Sequence, residues 1–138
     1  MRAEATFTVA EFVPATISPE PAVTARLPIG VAVMQKQFEG ELSGRSATVF
    51  TSVFDQATGV GTYAAVEAFE GSLGERSGAF NFVHSATTSG SDRSAELLVI
   101  VPSSGSGELA GISGSGGITV DEAGVHRIWL SYDLAPLD

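Results

Sequence analysis

Across 138 residues, 16 acidic side chains outnumber 7 basic ones, for a formal charge of −9, and hydrophobic residues make up 43%. That length and apolar content fit one globular domain with a real core and exclude a disordered chain. The negative balance disfavours nucleic acid or an anionic membrane as partner, and the absence of Cys excludes disulfides, a thiol nucleophile and thiolate metal sites.

The first residues, MRAEATFTVAEF, alternate polar with apolar and have no apolar signal core. They read as a strand over Ala3 to Val13, with Phe7, Val9 and Glu11 on one face and Thr6, Thr8, Ala10 and Phe12 on the other. A cytoplasmic protein is the expectation. Pro14, Pro19, Pro21 and Pro28 make residues 14–28 a surface excursion or sheet edge. Ile29 to Leu42 is extended again, with Gly40 and Gly44 placed for sharp bends. Ala47 to Asp55 (ATVFTSVFD) is the next strand, and Gln56 to Gly61 a turn.

Tyr63 to Phe69 and Gly78 to Ser85 are predicted strands flanking the glycine-rich GSLGERSG. Ser85 to Asp92 is a polar hairpin loop. Ser94 to Val101 (SAELLVIV) is a strand whose continuous apolar end predicts burial on both faces. Pro102 to Gly107 is a turn, Glu108 to Ile112 a short strand, and Gly114 to Gly117 a bend. Ile118 to Val120 and Val125 to Leu134 close the chain. No helical stripe with caps occurs. Seven to nine short strands predict a sandwich or barrel, and the glycines inside strands favour an all-β, small closed antiparallel barrel of about eight strands.

Most chemical motifs fail. SSGSG (103–107) and GISGSGG (111–117) lack the Lys of a phosphate loop and open no helix, so they read as turns and bulges. There is no Gly-x-Ser-x-Gly elbow. His84 and His126 lie far apart, so no metal site is expected. Basic patches with interleaved aromatics are absent, so neither is nucleic-acid binding.

Polar residues on apolar faces remain. Tyr63, Ala65, Glu67 and Phe69 point one way on their strand; Phe80, Phe82 and His84 do so on the next. His126, Ile128, Leu130, Tyr132 and Leu134 share a face at the end of the chain. An interior carboxyl such as Glu67 has a raised pKa unless paired, which suits a general acid or base. The alternative is that a Tyr hydroxyl or an Arg satisfies Glu67, which then merely fixes strand register. His84 reads equally as a hydrogen-bonded core histidine, and Tyr63 and Tyr132 as amphipathic packing with their hydroxyls at a barrel mouth.

The order FEGEL–G (38–44), Y–E–FEGSLGERSGAF–F–H (63–84), VPSSGSGELAGISGSGG (101–117) and H–––L–YDL (126–134) resembles the DUF3224 family of bacterial single-domain proteins, over roughly residues 3 to 134. The resemblance implies a barrel similar to allene oxide cyclase, with an apolar interior that holds a flexible substrate in one conformation. The expectation is then a cofactor-independent cyclase or isomerase of natural-product metabolism, acting on an apolar, polyunsaturated or polyketide-like substrate. Glu67, Tyr63 and His84 would be catalytic; Phe69, Phe80, Phe82, Tyr132 and His126 would bind substrate. The alternatives are a non-catalytic carrier of a hydrophobic ligand and a barrel module filled by its own side chains. A homo-oligomer with an interface near Trp129 is a further expectation.

Overall fold

Alternating polarity builds the long strands, because one face of each must leave water while the other stays in it. The computed structural model describes residues 1–135, and these hold nine strands and no helix. The strands are β1 (Arg2–Ala15), β2 (Ile29–Gly40), β3 (Leu42–Asp55), β4 (Val60–Leu73), β5 (Arg76–Ser89), β6 (Asp92–Ile100), β7 (Ser106–Gly107), β8 (Ser113–Val120) and β9 (His126–Asp133). All pairings are antiparallel. Hydrogen bonding runs β1–β2–β3–β4–β5–β6–β8–β9 and back to β1, so eight strands form a closed ring; β7 is a two-residue addition on β5. Closure removes the sheet edges that an open β-protein must protect. With no helix among the described residues, none is long and apolar enough to cross a membrane.

Several elements differ from the sequence reading. Most of GSLGERSG belongs to the two strands it was expected to separate. β4 and β5 are each 14 residues long and pair from Val60↔Ser89 to Leu73↔Arg76, with the turn at Gly74 and Glu75. The polar run after Ser85 stays in β5 as far as Ser89, since Thr87 and Thr88 still find partners on β6. Residues 108–111 form turns, not a strand, and drop Leu109 and Ile112 into the core. Gly114 to Gly117 lies inside β8, where it pairs with β9. In β6, Leu98 and Ile100 are buried but Leu97 is exposed, so that strand is buried on one face.

β1 also changes phase. A bulge between Val9 and Glu11 shifts its register against β2. Val9 pairs with buried Lys36, whereas Glu11 pairs with exposed Gln35, so Val9 and Glu11 do not share a face as simple alternation predicts. Beyond the bulge, Phe12 rejoins the inner face.

Gly44 and Gly71 pair across β3 and β4 with φ of 147° and 153°. A Cβ on Gly44 would fall 2.2 Å from the Glu70 carbonyl oxygen, and one on Gly71 2.1 Å from that of Ser43. Two backbones can approach this closely only without side chains, and this approach lets the sheet coil.

The interior is packed with rings. Phe7, Phe38, Phe69, Phe80 and Phe82 join Leu42, Leu73, Leu98, Ile100, Ile112, Ile128 and Leu130 in one cluster. Tyr63, Ala65 and Ala86, with Phe50 against them, form a second. Ring-to-ring contacts of 5.1–6.1 Å run unbroken from Phe12 through Phe50, Tyr63, His84, Phe82, Phe80, Phe69, Phe38 and Phe7 to His126. Each fully buried Phe contributes about 2–3 kcal/mol of apolar transfer.

Candidate functional site

Glu67 sits at the middle of β4 with 0% exposure. Strand alternation points it inward between Ala65 and Phe69, so its charge must be met by neighbouring strands. β2 supplies Lys36, whose Nζ donates to Oε2 at 2.7 Å. β3 supplies Ser46, whose Oγ donates to Oε1 at 2.7 Å. β5 supplies His84, whose Nε2 bonds Oε2 as well. Three strands thus converge on one carboxylate.

The network then runs outward. The Tyr63 hydroxyl lies 2.8 Å from His84 Nδ1. Arg93 donates through Nη2 to the Tyr63 oxygen at 2.8 Å and through Nε to Glu96 at 2.8 Å. Arg93 is half-buried and Glu96 exposed, so a continuous hydrogen-bonded line joins the deepest carboxylate to the surface.

Burial alone would raise the Glu67 pKa. The hydrogen bond from His84 and the charge of Lys36 outweigh it and bring the carboxyl down to about 2. Glu67 is therefore a permanent carboxylate and not the poised acid that an unpaired interior carboxyl would be. Burial lowers the His84 pKa from 6.5, aided by the positive charges of Lys36 and Arg93 and opposed by Glu67. A neutral His84 beside an ionised Glu67 carries its proton on Nε2, which leaves Nδ1 to accept from Tyr63. Burial raises the Tyr63 pKa, opposed by Arg93. The direction is fixed: Arg93 donates to Tyr63, Tyr63 to His84, and His84 to Glu67.

Of the eight residues singled out in the sequence, three meet here: Glu67, His84 and Tyr63. Phe82 stacks on His84 at 5.7 Å, with Phe80 and Phe69 beyond it; all three are nearly fully buried. His126 is separate, packing on Phe7 at 5.1 Å. Phe7 in turn lies under the Lys36 ammonium at 4.9 Å. Tyr132 packs against the main core cluster, away from the Tyr63 group. Among the described residues, no group of three His, Asp or Glu is placed to hold a metal ion.

Sequence reasoning missed Lys36, Ser46, Thr48 and Arg93. Lys36, the sole lysine, offered a signal: it falls between Met34 and Phe38 on an otherwise apolar face. Thr48 pairs with Glu67 across β3 and β4, and its buried hydroxyl has no partner among the described residues. The inner face is covered at Lys36 but not at the adjoining end of β1. Val9 and Phe12 face inward there yet are 42% and 53% exposed. This is the mouth of the ring, and Phe50, stacked on Tyr63 at 5.2 Å, links it to the network.

A closed ring of antiparallel strands around a buried carboxylate–imidazole–phenol line defines a small all-β domain with an interior polar site. Residues 3–132 match the family model described as "Protein of unknown function (DUF3224)", and the chain belongs to that family. It is also similar to the crystal structure of a protein of unknown function from the DUF3224 family of Shewanella oneidensis MR-1. The two share 27% identity over 99% of this chain and 98% of the other, with a TM-score of 0.82. No curated protein matches.

Proposed function

We propose that this protein is a cofactor-independent isomerase or cyclase of the allene oxide cyclase-like type, acting on a small apolar, polyunsaturated or polyketide-like substrate. The observation that carries the reading is the directed line from Glu67 through His84 to Tyr63. Glu67 holds the imidazole in the tautomer whose free nitrogen faces the phenol, the logic by which a carboxylate readies histidine beside a hydroxyl. Tyr63 then hands a proton to, or takes one from, a substrate at the mouth, with His84 as reservoir and Arg93 holding the phenolate charge. Val9, Phe12 and Phe50 supply the apolar surface. Phe69, Phe80 and Phe82 form the packed floor beneath. Positioning at the mouth supplies the rest of the rate.

A structural module is the second reading. It is favoured by the filled interior and by the three partners already on Glu67. Proton exchange separates the two. Apolar metabolites that co-purify with the protein are returned to it in deuterated water. Isomerisation by proton transfer predicts deuterium uptake by the ligand with the wild type and its loss with Tyr63→Phe. Absence of any co-purifying ligand, or equal uptake with both proteins, contradicts the enzymatic reading.

A further inference from the structure

The outer wall of β1 to β6 carries a row of valines in register. Val13 pairs with Val33, Val33 with Val49, Val49 with Val66, Val66 with Val83, and Val83 with Val99. The four on β1 to β4 are 47–52% exposed. The next row is Val31, Thr51, Ala64, Ser85 and Leu97, and the one beyond it holds Ile29, Val53, Thr62 and Thr87. None of these side chains is charged, in a chain with 23 charged residues, 7 basic and 16 acidic. Charge begins at the rim, with Glu11 beside Gln35 and the Arg45–Glu70 pair.

From this wall we infer a docking face for a second copy of the same chain. Ile29, Leu97 and the exposed valines alone present roughly 600 Å² of apolar surface, at the top of the range for a monomer's largest patch and about three quarters of the ~800 Å² per partner of a standard interface. β-Branched rows of this kind are the composition of inner faces in packed sheets. Net charges of −9 oppose association of two copies, and this uncharged wall is the face on which that repulsion is least. A bilayer is a poorer occupant, because the apolar rows do not encircle the ring. Arg2, Glu4, Arg127 and Asp133 face outward on β1 and β9, where a membrane barrel needs an unbroken apolar band. Trp129, the interface expected from sequence, lies under Arg2 at 4.6 Å and is only partly exposed.

The test is sedimentation equilibrium of the wild type, Val66→Lys and the milder Val49→Thr/Val66→Thr, with circular dichroism to establish that each is folded. The inference predicts a wild-type dimer at about 10 μM, a monomer for Val66→Lys, and at least about a tenfold weaker dimer for the Thr pair. If Val66→Lys does not fold, the near-isosteric Thr pair decides alone. A wild-type monomer, or association unchanged in the folded variants, overturns the inference. So does a monomer that co-floats with phosphatidylcholine vesicles, which assigns the wall to lipid.

Discussion

Lys36 is the residue on which the interior depends most. A lysine at 4% exposure is tolerable only because Glu67 lies 2.7 Å away and Phe7 lies beneath its ammonium. Breaking a buried pair leaves an uncompensated charge, which costs more than the pair is worth. Lys36→Met therefore costs about 3–5 kcal/mol in chemical denaturation, while Lys36→Met/Glu67→Leu recovers part of that by removing the stranded carboxylate. A single variant within about 0.5 kcal/mol of wild type rejects this account of the pair. Period-two alternation exposes each of these residues as inward-facing. Their meeting depends on the registers of β2, β3, β4 and β5, set by turns whose exact lengths local pattern leaves open. Hence Glu67 and His84 stood out singly in the sequence, where Glu67 read as an acid or base of raised pKa or, alternatively, as paired with a Tyr or an Arg, and Lys36 was not considered.

At the scale of elements, alternation located the long strands from β1 to β6 and the last strand, and the glycines pointed to a coiled sheet. It failed where a local rule was broken without a strong residue signal. The bulge at Val9/Glu11 reverses the faces of β1 although no Gly or Pro marks it. Leu109 and Ile112 look strand-like because they are apolar, but they come from a turn held by Leu109–Ser106 and Ile112–Leu109 backbone bonds. Apolar character reports burial, not backbone path. Gly71 tests the close crossing of β3 and β4. Gly71→Ala meets both an unfavourable φ of 153° and the Ser43 carbonyl. It is expected to destabilise by more than the ~1–3 kcal/mol of backbone strain alone, read as a fall in denaturation midpoint. An unchanged midpoint means the strands have room to separate there.

For the whole molecule, ring closure puts ionisable groups in a dry interior, and pH then acts on the fold. His84 has a folded pKa below its ordinary 6.5, so the unfolded chain binds its proton more tightly, and stability falls as pH drops below 6.5. Glu67, at about 2 against 4.5, adds stability that is full above 4.5 and disappears as pH falls toward 2. Both slopes have the same sign and act in succession. His84 is a neutral imidazole, protonated on Nε2 by its pairing with Glu67 and open on Nδ1 toward Tyr63. Nitrogen-15 NMR of the His84 ring across a pH titration of the folded protein reads both properties. One neutral tautomer with the proton on Nε2 and a midpoint below 6.5 are expected. A midpoint at or above 6.5, or a proton on Nδ1, would contradict this assignment.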